Sequence, residues 1–157
     1  MNIRQWLISR FIPCGQKERD AALRLLAAAR WHAAAPQTPV AGTRDAAFTY
    51  RYTVAFAVIA ILGANMYFPP EKRRGVTVAI TAALEKWRAG AYDKDGQHLM
   101  AALNLSGESS EAALGGWVSG EGALERDKES AEQLGRAIMT QAGETVVALF
   151  LEDKNKE

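Results

Sequence analysis

Apolar positions recur along this chain at steps of three and four, with charges between them, except in one stretch. Residues 46–68, AAFTYRYTVAFAVIAILGANMYF, carry a single charge, Arg51, and end at Pro69 and Pro70. Phe48, Tyr52, Phe56, Ile59, Gly63 and Met66 share one face of a helix at this spacing. Val54, Val58, Ile61 and Leu62 fill the opposite side. A helix apolar all round belongs in a core or in lipid. Thr43 or Asp45 is placed to cap its start. The prolines stop it, because proline has no amide hydrogen and the residue before it avoids the helical region.

Two other readings fit the same stretch. Residues 48–58 also alternate large and small side chains, many aromatic or β-branched, which is the period of a strand. Alternatively, the 17 residues 52–68 would extend roughly 25 Å as a helix, close to the ~30 Å of a hydrocarbon layer. Basic residues flank both ends (Arg44 and Arg51; Lys72, Arg73 and Arg74), so charge assigns no orientation. The alanine-rich surroundings favour helix.

The flanking segments predict further helices. Residues 2–12 place Ile3, Trp6, Leu7 and Phe11 on one face, with Arg4 and Arg10 at its margins. Residues 16–35 carry a narrow apolar stripe of Leu23, Leu26, Arg30 with Trp31, and the intervening alanines. Residues 33–43, with two prolines and a glycine, read as a loop. Val76, Ile80, Ala83, Leu84 and Trp87 trace an inward face, with Glu85, Lys86 and Arg88 opposite and Gly90 as a C-terminal cap. Residues 93–96 form a turn, and 97–105 a short helix with Leu99, Ala102 and Leu103 inward. Residues 106–122 are rich in glycine and serine around a short segment containing Leu114 and Trp117, and 115–122 read as a flexible loop. Residues 121–141 form an amphipathic helix with Leu124, Ala131, Leu134, Ile138 and Ala142 inward, which Gly143 interrupts. Residues 145–151 form a last helical turn or an edge strand, and 152–157 a solvated tail.

The expected fold is therefore mainly α: a single domain, 1–157, of five to six helices around a central apolar helix at 46–68. The alternative is an α+β fold with 47–62 as a strand. Composition supports this scale. A chain of 157 residues with 48% apolar and 24% charged side chains can bury a core without staples. One cysteine excludes an internal disulfide and fits a reducing compartment. Arg10 interrupts the apolar run of residues 1–12, so no secretory signal is expected. The formal net charge of +1 hides a segregation. Residues 1–92 carry thirteen Lys/Arg against five Asp/Glu, and residues 93–157 six against thirteen. Such halves either neutralise each other or steer different partners.

Candidate chemistry is sparse. Asp93, Asp95 and Gly96 suggest a Ca²⁺ loop, but aligning Gly96 with the loop's glycine leaves Ala102 where a bidentate acid is required. Residues 99–114 have the outline of a helix-turn-helix, yet the second helix carries Glu108 and Glu111 instead of cations for phosphate. Cys14 precedes a helix start, but neither His32 nor His98 is spaced to serve as its base. Asp95 and His98 are two ligands and make no metal site. Gly115 to Gly122 lack phosphate-loop spacing. No catalytic, cofactor-binding or metal-binding residue is assigned.

What remains is surface for binding. Lys72, Arg73 and Arg74 form the strongest polar cluster; with Arg44 and Arg51 they would meet an acidic patch, and Trp6 and Trp117 would anchor the contact. This profile, short, of one domain, without a catalytic set and with its charge split in two, is similar to that of small inhibitors and adaptors carried by mobile elements, such as anti-CRISPR proteins. The expected function is a non-enzymatic, cytoplasmic protein-binding module whose partner is another protein or a nucleoprotein complex. The alternatives are an inner-membrane-associated subunit with 46–68 in the bilayer, and a nucleic-acid-backbone binder using the basic N-terminal half.

Overall fold

The structure, a computed structural model, describes residues 15–40 and 42–151, together with Ile3. Trp6, Cys14, the amphipathic segment 2–12 and the tail 152–157 lie outside the described residues. Seven α-helices are present among them: α1 (Gln16–Ala34), α2 (Ala46–Tyr67), α3 (Pro70–Trp87), α4 (Gln97–Leu105), α5 (Ser110–Ser119), α6 (Ala123–Arg126) and α7 (Lys128–Leu151). A single π-helical turn, Ala91–Gly96, joins α3 to α4. The fold is mainly α, as expected, and the described residues form no strand.

α2 is the centre of the fold. Asp45 caps it, its Oδ1 accepting from the Phe48 amide at 2.8 Å. The helix ends where the Phe68 amide bonds to the Ala64 carbonyl at 2.9 Å and the chain turns extended before Pro69. Helices α1, α3, α5 and α7 pack around it. Ala55, Ala57, Ala60 and Ala64 are wholly buried, and such small side chains let helix axes approach closely. Among the described residues α2 alone is long and apolar enough to cross a membrane, and 56% of its most apolar window is buried by the protein itself. The strand alternative at 47–62 is not adopted. Helical hydrogen bonding and an apolar environment on every side override the alternation of large and small residues.

Three expectations need correction. The loop expected at 115–122 is helical as far as Ser119, within α5. Ser109 caps α5 by accepting from the Ala112 amide at 3.2 Å, and Gly115 and Gly116 lie buried inside that helix. Here α5 crosses α7 backbone to backbone. A Cβ on Gly115 would fall 1.7 Å from the Ala131 carbonyl oxygen, and one on Gly135 1.8 Å from that of Glu111. The second correction concerns 121–141, which is two helices that meet at Asp127. Its Oδ1 accepts from the Ser130 amide at 3.1 Å and starts α7. Gly143 does not interrupt α7, which runs on to Leu151. These divisions explain why there are more helices than the five or six expected.

Third, Glu85 does not face solvent. It is 6% exposed, and its carboxylate gathers the backbone beyond α3. Oε2 accepts from the Gly90 amide at 2.8 Å. Oε1 accepts from Tyr92 at 2.7 Å and Asp93 at 2.9 Å. Gly90 sits at φ +87°, a left-handed conformation that glycine adopts without a Cβ penalty.

Candidate interaction surface

Two tyrosine hydroxyls are engaged within the protein, whereas Thr81 Oγ1 and Ser119 Oγ are buried without a hydrogen-bond partner among the described residues. The Tyr50 hydroxyl donates to Asp95 Oδ2, and burial together with this bond pushes the phenol well above its ordinary pKa. Tyr50 stacks on Trp87 at 5.7 Å. Arg88 lies 4.6 Å over the Tyr50 ring, and Arg30 of α1 lies 5.7 Å from the Trp87 ring. This layer ties the C-terminal ends of α1 and α3 to the start of α2 through cation–π contacts. The Tyr52 hydroxyl donates to Gln141 Oε1 at 2.5 Å, and burial pushes its pKa up as well. Both phenols are held protonated. No cluster of three or more metal-ligating side chains occurs among the described residues. Asp95 receives Tyr50, while His98 stands exposed at 6.4 Å from the Trp117 ring.

The cations singled out in the sequence do not form one patch. Arg44 donates to the carbonyls of Ala34, Pro36 and Thr38 and closes the loop ahead of α2. Arg51 Nε donates to the Val118 carbonyl at 2.8 Å and fastens α2 to the end of α5. Arg73 Nε donates to the Phe68 carbonyl at 2.6 Å and braces the turn between α2 and α3. Lys72 is half-buried and Arg74 exposed. The rise of α2 from residue 51 to 67, about 24 Å, separates Arg44 and Arg51 from the 72–74 cluster. Trp117 is half-buried and packs against the core. The ion pair Lys128–Glu108, 2.7 Å, lies within the acidic half of the chain.

The exposed apolar side chains lie elsewhere. On α1 the buried stripe is Ala22, Leu25, Leu26, Ala29 and Ala33. Leu23 and Trp31, expected to point inward, stand out at 52% and 66% exposure. With exposed Ala27 they form a row at four-residue steps along the outer side of the helix, beside Arg24 and Arg30. Sequence periodicity contains both stripes; which of them meets α2 is decided by packing. The Trp31 ring meets the His32 ring edge-on at 5.1 Å. His32 in turn stacks on the buried Phe56 at 5.9 Å. A second exposed apolar group, Met66 and Tyr67 at 75% and 65%, stands at the α2–α3 corner. The shallow depression lined by Gln133, Arg136, Ala137, Thr140 and Gln141 belongs to α7 alone and encloses nothing.

Compared with family models, curated proteins and solved structures, the chain has no match.

Proposed function

We propose that this chain is a non-enzymatic protein-binding module, a small cytoplasmic inhibitor or adaptor of a larger macromolecular machine, and that the outer face of α1 is its contact surface. The observation that carries this reading is Trp31, two-thirds exposed on α1 and aligned with Leu23 and Ala27. An amphipathic helix that presents apolar anchors at such steps fits a hydrophobic groove on a partner. Tryptophan is the residue type most often central to such contacts. Arg24 and Arg30 border the row, which suits a groove with an acidic rim and retains the acidic partner expected from the sequence. Arg44, Arg51 and Arg73 bond to backbone carbonyls and brace the scaffold, so the apolar row is the main source of affinity in this reading.

The test is affinity capture from native cells, with and without nuclease, using wild type, Trp31→Ala and Leu23→Glu. Both variants alter exposed side chains and should fold as wild type by circular dichroism. A specific protein should be recovered with wild type and retained after nuclease treatment. In a binding assay with that purified protein, Trp31→Ala should weaken affinity by about 30-fold or more. Equal affinity of both variants and wild type for it would remove α1 as the surface. Loss of all captured protein on nuclease treatment would favour a nucleic-acid binder.

A further inference from the structure

The corner between α2 and α3 has a composition and shape that the protein-binding reading does not use. Residues 65–67 and 69–71 are exposed, whereas Phe68 between them is 1% exposed and anchors the turn in the core. The turn is rigid. The Phe68 amide bonds to Ala64, the amides of Lys72 and Arg73 both bond to the Pro69 carbonyl at 3.0 Å, and Arg73 Nε holds the Phe68 carbonyl. Met66 and Tyr67 therefore project from a hydrogen-bonded corner, 75% and 65% exposed. Lys72 and Arg74 follow within the first turns of α3, and neither has an ion-pair partner among the described residues.

These cations are not there to stabilise α3. A helix N-terminus carries partial positive charge, so Lys and Arg near it work against the dipole; Glu71 alone suits that end. Their position makes sense toward an external anion. The apolar groups beside them narrow the choice. Two apolar side chains are too few to build a protein interface of standard size, about 800 Å² per partner. They suffice for shallow insertion where cations and apolar groups are met together. An anionic bilayer supplies both: headgroup phosphates for lysine and arginine, and an interfacial zone in which tyrosine and aliphatic side chains are stable. Nucleic acid would satisfy the cations and leave Met66 in water.

We infer that the α2–α3 corner is a membrane-surface contact, in which Met66 and Tyr67 enter the interface of an anionic bilayer while Lys72 and Arg74 engage lipid phosphates. α2 stays inside the protein in this arrangement, and only its last turn meets lipid. The contact is peripheral, reversible and weakened by salt.

The experiment is flotation of the full chain with vesicles of phosphatidylcholine alone and of phosphatidylcholine mixed with phosphatidylglycerol, at low and high NaCl. Binding to the mixed vesicles should exceed binding to neutral ones by about tenfold or more and fall at high salt. Lys72→Glu with Arg74→Glu should abolish the preference. Met66→Ser with Tyr67→Ser should lower binding several-fold, with an unchanged circular dichroism melt in both cases. Equal binding to the two vesicle types overturns the inference. So does binding that survives both pairs of substitutions, because another part of the chain is then responsible. Salt-sensitive binding to duplex DNA without vesicle binding also overturns it and makes the anion a nucleic-acid phosphate. Partner capture depends on Leu23 and Trp31 and vesicle flotation on the corner, so the two readings fail separately.

Discussion

Glu85 accepts three backbone amides with two oxygens, from Gly90, Tyr92 and Asp93. A carboxylate does this well because it is an acceptor only. Glu85→Ala would remove this acceptor from three amides in a part-buried site. Each buried unsatisfied donor costs about 1–3 kcal/mol, so we expect a loss of about 3 kcal/mol or more. At 2–4 °C per kcal/mol for a chain of roughly this size, that is a fall of about 6–12 °C in Tm. Glu85→Gln should lose less. One amide oxygen still serves Tyr92 and Asp93, while its NH2 faces the Gly90 N–H, donor against donor. Thermal melts of the two variants check the order Ala > Gln, and an unchanged Glu85→Ala melt would show that the π-turn does not depend on this carboxylate. From sequence, Glu85 is one charge among Glu85, Lys86 and Arg88 on an apparently polar face. Only the return of the chain at Gly90, φ +87°, brings the three amides to it.

At the scale of elements, the α5–α7 crossing depends on two glycines. Gly115→Ala and Gly135→Ala each place a methyl carbon within 2 Å of a carbonyl oxygen on the facing helix, so the helices must separate. Overpacking of this kind costs about 1–3 kcal/mol and occasionally more. Once one methyl has forced the helices apart the second finds room, so the double variant should cost less than the sum of the singles. Gly143 and Gly75 provide the contrast. Both are helical and a Cβ meets nothing within 4 Å at either. Their alanine variants should therefore gain about 0.5–1 kcal/mol from helix propensity. Chemical denaturation of the four single variants and the double checks both signs. The sequence reading failed here for a physical reason. Adjacent Gly115 and Gly116 disfavour a helix by local propensity, and close packing against α7 reverses that preference.

At the scale of the molecule, α1, α2 and α7 meet around His32. Its ring stacks on Phe56 of α2, and burial lowers its pKa below 6.5, opposed by the charge of Glu144 on α7. The sign follows from linkage. The unfolded chain takes up a proton near pH 6.5 and the folded chain only at lower pH, so this group's contribution is fully present above that pH. It declines as pH falls from 6.5 to the folded pKa. Between about pH 8 and pH 5, therefore, wild type should lose stability relative to His32→Phe. Glu144→Gln should lower the His32 pKa further, as followed by its ring proton shifts in NMR. A difference in Tm between wild type and His32→Phe that does not change with pH would show that burial leaves the imidazole unperturbed.

Much of this protein is legible before any coordinates. A charge-poor run of alanine, aromatic and β-branched residues between Asp45 and Pro69 specifies a central helix, because period, cap and stop are local properties. The mainly α fold follows from the same periodicity in the remaining segments. Tertiary structure decided the rest. It turned Leu23 and Trp31 outward by pressing the other stripe of α1 onto α2, made a helix of residues 110–119 through the α5–α7 crossing, buried Glu85, and directed Arg44, Arg51 and Arg73 to backbone carbonyls. In each case the partner is an atom several residues or a whole helix away, and spacing along a chain says which side chains share a face without saying what that face meets.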